Sequence, residues 1–294
     1  FSDVYYSLTA GGGSGTKTLG GAVTVAGDLT IDTDVTIAMD THDLTVTNAT
    51  DIDGTLAVAD NILTLDGASD IDGTITIATG TVDADSSFDG TNGSITFTGA
   101  GNLMLSSTVT SLGALTSVGF GTVTYDAPGD QAIVLDDYYS LTSGGGAGIK
   151  TLEGAVTVAG DFTTDANVTT AMGANNLSVT GATTIPGTVT ISTATLDANG
   201  TFTAEGGVIT FSDAGNLTLA STVTDLGTLS TNFGKVTYDG TAQTIFADTY
   251  YDLTVATSNT KTLGGIVNIE RDLTIDAGVT LDVSSNDYAI NVAR

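Results

Sequence analysis

The stretch Asp51-Ile52-Asp53-Gly54-Thr55-Leu56-Ala57-Val58 returns one short interval later as Asp70-Ile71-Asp72-Gly73-Thr74-Ile75-Thr76-Ile77. In the second half of both copies every second residue is a large apolar one, separated by Thr or Ala, and this period of two is the pattern of a β-strand. A slip by one such interval must preserve the inward and outward faces, so the two copies are predicted to be neighbours in one parallel sheet. The predicted inward pairs are Ile52 with Ile71, Leu56 with Ile75, and Leu63 with Val82.

A longer repeat encloses the short one. Tyr5-Tyr6-Ser7-Leu8-Thr9 returns as Tyr138-Tyr139-Ser140-Leu141-Thr142 and as Tyr250-Tyr251-Asp252-Leu253-Thr254. The interval from Tyr5 to Tyr138 exceeds the interval from Phe97 to its counterpart Phe211 by the length of the short unit, so the second copy has lost one such unit. A fold that loses a unit cleanly is built of stacked coils that touch only their neighbours.

The predicted fold class is therefore all-β, a single-chain parallel β-helix (β-solenoid) with about 19–21 residues per coil. β-branched Val, Ile and Thr fill the strands, Gly, Asp, Asn and Ser separate them, and no segment has a helical period, so we expect almost no helix. We expect residues 1–294 to form one continuous solenoid, with large repeats at about 5–137, 138–249 and 250–294, the last of them incomplete.

The net charge of the chain limits the binding partners that it can have. The chain has 34 acidic and 6 basic residues, a net charge of −28, which disfavours nucleic acid or an anionic membrane surface as a partner. It has no cysteine, so coil stacking rather than disulfides must stabilise it. No apolar run approaches the roughly 18 residues of a membrane-spanning helix, and we expect no membrane insertion.

Three stretches, Gly121 to Asp126, Lys235 to Ile245 and Asp272 to Val283, carry a resemblance to a known group. Their style resembles the repeat regions of very large secreted microbial surface proteins, including filamentous-haemagglutinin-like and autotransporter-like adhesins. The resemblance covers the whole chain. It implies a parallel β-helix, right-handed by analogy, and an extracellular or cell-surface location, and it carries over no functional residue.

Four aspartates form the candidate metal site: Asp51, Asp53, Asp70 and Asp72. One coil apart, their carboxylates would approach to about 4.8 Å, the strand spacing. Such pairs either extend into water or share a hard cation such as calcium, which takes oxygen ligands. The second large repeat has Thr184-Ile185-Pro186 in their place, so we expect solvated carboxylates and no cofactor, with calcium as the alternative.

Lysines and tyrosines recur at fixed places in the large repeats. Lys17, Lys150 and Lys261 are predicted to offset aspartate charge or to cap a loop, the alternative being an isopeptide crosslink to Asn or Asp. We expect the paired tyrosines to pack against the core while their hydroxyls stay in water. The alternative is that they stack on sugars, which makes surface glycans a candidate partner.

Catalysis is not expected. Parallel β-helices include polysaccharide lyases and hydrolases, but those sites need a base or a carboxylate cluster in a cleft formed by long loops. The single histidine, His42, lies alone in a turn sequence, and Arg271 and Arg294 are the two arginines. We therefore predict no catalytic residue, and keep a carbohydrate-binding or carbohydrate-cleaving β-helix protein as an alternative.

A structural role remains. Neither end of the sequence carries a polar cap or a helix, and an uncovered coil edge favours addition of another copy, head to tail. We therefore expect a subunit of an extracellular filament, with a stalk segment of a giant surface adhesin as the alternative. The candidate polymer interface consists of Phe1, Val4, Tyr5, Tyr6, Leu8, Tyr288, Ile290 and Val292.

Overall fold

The fold is a parallel β-solenoid of about 14 turns with about 20 residues per coil, which confirms the predicted fold class. A computed structural model describes residues 3–117, 119–230, 232–283 and 287–293. Strand pairs are parallel and these residues contain no helix, hence none that could cross a bilayer. Two compact units divide at Gly145 and Gly146, and each is considered by itself below.

Unit 1, residues 1–145, repeats a coil of three short strands. As far as Tyr125, each strand of a coil joins a different parallel sheet, so three sheets surround the core, and Gln131–Ile133 and Asp137–Tyr138 belong to two further sheets. The strands are β1 Val4–Tyr5, β2 Leu8–Ala10, β3 Gly15–Thr18, β4 Val23–Val25, β5 Leu29–Ile31, β6 Val35–Ala38, β7 Leu44–Val46, β8 Thr50–Ile52, β9 Thr55–Ala59, β10 Ile62–Leu65, β11 Ser69–Ile71, β12 Thr74–Ile77, β13 Thr81–Ala84, β14 Phe88–Asp89, β15 Ser94–Phe97, β16 Asn102–Leu105, β17 Val109–Ser111, β18 Ala114–Ser117, β19 Thr122–Tyr125, β20 Gln131–Ile133, β21 Asp137–Tyr138 and β22 Ser140–Ser143.

The predicted register of unit 1 is confirmed. All three predicted pairs are Cα partners in the ladders β8–β11, β9–β12 and β10–β13, and the six side chains are fully buried. Alternation explains this arrangement, since every second residue of a strand points to the same face and a whole-coil slip keeps that face. The core is consequently a column of stacked apolar side chains, and stacking buries apolar surface that a single coil would leave exposed.

Unit 2, residues 146–294, has the same alternation of buried and outward residues. Its strands are β23 Gly148–Leu152, β24 Val156–Val158, β25 Phe162–Thr164, β26 Val168–Gly173, β27 Leu177–Val179, β28 Thr183–Thr184, β29 Thr188–Ile191, β30 Thr195–Ala198, β31 Phe202–Thr203, β32 Val208–Phe211, β33 Asn216–Leu219, β34 Val223–Asp225, β35 Thr228–Leu229, β36 Lys235–Tyr238, β37 Gln243–Ile245, β38 Thr249–Val255, β39 Asn259–Leu263, β40 Val267–Ile275, β41 Val279–Asp282 and β42 Ile290–Val292.

Coil length varies more than the sequence predicts. The coil that pairs Lys235 with Asp252 is shorter than the predicted range, and the coil that pairs Val267 with Ile290 is longer. Both depart from the prediction because turns, unlike strands, change length without disturbing the ladder. The shorter coil contains Tyr238 and Tyr250, whose side chains meet inside it.

Candidate functional site

The predicted aspartates lie on one outer face of unit 1. Asp51 of β8 and Asp70 of β11 are directly opposed Cα partners, and Asp89 of β14 follows Asp70 in the same sheet. Asp53 and Asp72 occupy the turns that follow β8 and β11, and all four predicted residues are solvent-exposed. The sequence thus placed them correctly one coil apart on a shared face.

Two carboxyl pKa values respond to this crowding. Partial burial, followed by the negative charges of Asp53 and Asp70, raises the pKa of Asp51. Partial burial and the charges of Asp72 and Asp89 raise the pKa of Asp70 in the same way. Both groups bind a proton more readily than an isolated aspartate because partial burial, and then the like charges nearby, disfavour ionisation.

The contacts of the four aspartates are those of a surface ladder. Asp72 accepts a hydrogen bond at 3.0 Å from the side-chain amide of Asn92, one coil further on. Within residues 3–117, 119–230, 232–283 and 287–293, no group of three or more His, Cys, Asp or Glu side chains has the arrangement of a metal site. The four exposed aspartate carboxylates therefore repel one another through water.

The candidate interface residues of unit 1 lie in its first coil. Val4 and Tyr6 expose 70% and 86% of their surface, Tyr5 and Leu8 are half-buried, and Phe1 lies outside the described residues. Val4 and Tyr5 form β1, which pairs with β4 through Val4 to Thr24 and Tyr5 to Val25.

The candidate interface residues of unit 2 lie in and before β42. Ile290 and Val292 pair with Val267 and Ile269 of β40, and Tyr288 is half-buried just before the strand. Asn291 continues the stacking on the outer face, since its side-chain amide donates to the Asn268 side-chain oxygen at 2.8 Å.

A buried hydroxyl pair recurs in both units. Tyr138 donates to the Val134 carbonyl at 2.7 Å, Tyr125 lies 2.9 Å from the Tyr138 hydroxyl, and the Val134 amide donates to the Tyr125 oxygen at 3.3 Å. The single proton of Tyr138 is used on the carbonyl, so Tyr125 must donate to Tyr138. Two hydroxyls and the backbone N–H and C=O of Val134 therefore close a hydrogen-bonded ring.

Unit 2 repeats this ring with other residues. Tyr250 donates to the Phe246 carbonyl at 2.6 Å, its hydroxyl lies 2.9 Å from that of Tyr238, and the Phe246 amide donates to Tyr238 at 3.1 Å. All four tyrosines of the two rings are buried, and burial raises the pKa of the Tyr238 and Tyr250 hydroxyls. The expectation that the paired tyrosines keep wet hydroxyls is wrong for Tyr138 and Tyr250, because the hydroxyl of an earlier tyrosine replaces water.

A buried glutamine accompanies each hydroxyl pair and hydrogen-bonds to the surrounding backbone. In unit 2 the Gln243 amide donates to the Leu219 and Ser221 carbonyls at 2.8 and 2.6 Å and accepts from the Gly240 amide at 3.0 Å. Gln131 makes the equivalent three bonds in unit 1, to Leu105, Ser107 and Ala127. We call these clusters the Tyr–Gln corners: Tyr125, Gln131 and Tyr138 in unit 1, and Tyr238, Gln243 and Tyr250 in unit 2.

Sequence reasoning missed the glutamines, although a signal was present. Both follow a Tyr-Asp pair within a few positions and stand two places before an isoleucine, in Gln131-Ala132-Ile133 and Gln243-Thr244-Ile245. A glutamine that recurs at the same place in both units indicates a polar side chain directed inward. Its amide must then be hydrogen-bonded, since an unpaired buried amide would cost free energy.

The recurring lysines differ in environment. Lys150 and Lys261 are fully buried and Lys17 is half-buried. The Lys261 ammonium donates to the Thr257 carbonyl at 3.0 Å in the preceding turn, which confirms the predicted loop cap there. Burial lowers the pKa of Lys261, and the charge of Asp239 partly opposes that effect.

One depression in unit 2 combines aromatic and charged side chains. It has a volume of about 210 Å³ and is lined by Phe233, Lys235, Tyr251, Asp252 and Arg271, with Ala214 and Gly234.

The single histidine, His42, lies in unit 1 directly after a turn, as its sequence suggested. Its backbone amide donates to the Met39 carbonyl.

No protein-family model, curated protein or solved structure matches this chain. Its function is therefore inferred from its own geometry.

Proposed function

We propose that the chain is a structural subunit of an extracellular or cell-surface filament, in which coils of successive copies stack head to tail. One observation carries the proposal: the ladders are parallel and made by backbone groups one coil apart, down to β40 and β42. A backbone ladder does not distinguish a coil of the same chain from a coil of another copy. The role is passive, and we propose no catalysis.

The direction of the backbone groups in β42 supports this proposal. The Val267 amide donates to the Ala289 carbonyl at 3.1 Å, and the Ala293 amide donates to the Ile269 carbonyl at 2.8 Å. Since a parallel strand directs alternate residues to opposite neighbours, the amides of Ile290 and Val292 face away from β40. Such an edge is a template for a further strand.

The outer surface favours growth along one axis. Aspartates dominate the charge of −28, and those of the Asp51 and Asp70 ladder point outward. Like-charged side faces repel one another, whereas axial stacking is held by hydrogen bonds and apolar burial. A filament that stays dispersed in a solvated extracellular space is the expected product.

Electron microscopy and sedimentation of the purified full chain at moderate salt test the proposal. We expect filaments, and we expect Val292→Pro to shorten or abolish them, because proline removes an outward amide while the bonds of Ala289 and Ala293 to β40 remain. Val292→Thr keeps the amide and is the matched control. A chain that stays monomeric at high concentration contradicts the filament and leaves the adhesin stalk, in which the same polypeptide supplies the next coil.

A further inference from the structure

We propose that the depression lined by Phe233, Lys235 and Tyr251 binds one anionic sugar residue carried on an otherwise neutral glycan. The site lies within unit 2 and holds two of the six basic residues of the chain, Lys235 and Arg271. No ladder of the solenoid requires aromatic side chains there, since outward positions elsewhere are mostly Thr, Ser and Asp.

An aromatic surface forms one part of the site. Phe233 leaves 49% of its surface exposed, and its ring centroid lies 6.4 Å from that of Tyr251 at an interplanar angle of 54°. The next residue, Gly234, has φ +82°, and a Cβ there would collide with the ring of Phe211. The close approach of Gly234 to Phe211 therefore fixes where Phe233 stands, and Phe233 offers an apolar face of the kind that packs on the C–H face of a pyranose.

Arg271 forms a fixed wall. Its guanidinium carbon lies 4.7 Å from the centroid of the Tyr251 ring, and its Nε donates to Asp252 at 2.8 Å while Nη2 donates to the other carboxylate oxygen. A forked pair of this type holds the guanidinium in one orientation. Tyr251 is covered on that side, so Phe233 supplies the open ring.

Lys235 supplies the charge. It is exposed at the start of β36, and its ammonium has no hydrogen-bond or ion-pair partner in the part of the chain that the structure describes. Arg271 is ion-paired with Asp252 and, through its Nε at 3.2 Å, with Asp272, so Lys235 is the cation left to meet a ligand carboxylate. The negative charge of the whole chain repels a polyanion, and this favours a glycan with a single acidic residue.

The size of the site fits a small ligand. A volume of about 210 Å³ lies below the roughly 300–1,000 Å³ of pockets for drug-sized ligands. One sugar residue against Phe233, with its carboxylate at Lys235, uses both features at once, and the rest of the glycan would extend into water.

Unit 1 provides a natural control. Phe120-Gly121-Thr122 matches Phe233-Gly234-Lys235, with Phe120 also 46% exposed and Gly121 placed over Phe97 as Gly234 is over Phe211. Thr122 stands where unit 2 has the lysine. The aromatic residue is thus repeated and the cation is not.

The test titrates the full chain with a neutral hexose oligosaccharide capped by one glucuronate, and with the same oligosaccharide capped by glucose, by calorimetry or NMR. We expect tighter binding of the glucuronate form, and we expect Phe233→Ala to weaken it roughly 3- to 10-fold. Lys235→Thr, which introduces the residue of unit 1, should abolish the preference for glucuronate. Phe120→Ala should change nothing.

The proposal fails if the two oligosaccharides bind equally or not at all, or if Phe120→Ala weakens binding as much as Phe233→Ala. Far-ultraviolet circular dichroism checks the fold of each variant. If Phe233→Ala does not fold, the exposed substitution Lys235→Thr still decides, since loss of the glucuronate preference supports the site and its retention overturns it. Binding is measured below the concentration at which copies associate, so it is independent of filament formation.

Discussion

The hydroxyl oxygens of Tyr238 and Tyr250 lie 2.9 Å apart inside unit 2, and their rings meet edge to face at 80°. Tyr125 and Tyr138 repeat this relationship in unit 1 at the same oxygen distance and a ring angle of 75°. A polar contact that recurs so closely inside an apolar core fixes the course of the chain around one turn, because each hydroxyl satisfies the hydrogen-bonding need of the other.

Replacing Gln243 tests the Tyr–Gln corner of unit 2. Gln243→Leu should lower the free energy of unfolding by about 1–3 kcal/mol, since it leaves the Gly240 amide and two carbonyls without their buried partner. Gln131→Leu should cost a similar amount in unit 1, and the exposed Thr241→Ala is the control. Urea unfolding measures all three, and a Gln243→Leu variant as stable as the control would contradict the assigned role.

Alkaline pH should destabilise the protein. Burial raises the pKa of Tyr238 and of Tyr250, whereas an unfolded tyrosine ionises near a pKa of about 10. Above that pH the unfolded state loses protons that the folded state keeps, so the free energy of unfolding falls as pH rises. Thermal unfolding between neutral and strongly alkaline pH measures this, and the double variant Tyr238→Phe, Tyr250→Phe should show a smaller fall.

Mild acid, unlike alkaline pH, should stabilise the protein through Asp51 and Asp70. The raised pKa values of Asp51 and Asp70 mean that the folded chain takes up protons before the unfolded chain, whose aspartates titrate near about 3.9. The free energy of unfolding should therefore rise as pH falls from 7 toward about 4. Added salt should stabilise the protein at pH 7 through screening. In the double variant Asp51→Asn, Asp70→Asn, both responses should shrink; unchanged responses would assign them to other carboxylates.

Chelation separates solvated aspartates from a calcium site. We expect EDTA to leave the melting temperature unchanged, because the carboxylates of this face are exposed and Asp72 is bonded to Asn92. A fall in melting temperature that Asp53→Asn removes would establish the calcium alternative.

Removing one whole coil tests the stacking. Deletion of residues 51–69 joins Thr50 to Asp70 and places Ile71 where Ile52 pairs with Ile31. We expect a folded, somewhat less stable chain, because each coil touches only its neighbours. Deletion of residues 51–60, about half a coil, brings strands of different sheets together and should prevent cooperative unfolding of unit 1. Equal damage from both deletions would contradict independent coils.

The sequence was sufficient for what depends on periodicity. The pairing of Ile52 with Ile71 follows from a repeat distance and an alternation, and both are visible in the letters. The bonds of Gln243 are not, because its partners at Leu219 and Ser221 belong to the previous coil and offer backbone carbonyls that carry no sequence signature. The depression at Phe233 was missed for a related reason, since Phe233, Tyr251 and Arg271 come from three successive coils.

The short reach of the ladders has a kinetic consequence. Thr81 pairs with Asn102 and Thr195 pairs with Asn216, each partner only one coil away, so contact distance along the chain does not grow as coils are added. Loop-closure entropy is then nearly constant per coil, and relative contact order falls with length. Each coil can therefore form on its predecessor as the polypeptide emerges, with no need to wait for distant segments to be synthesised.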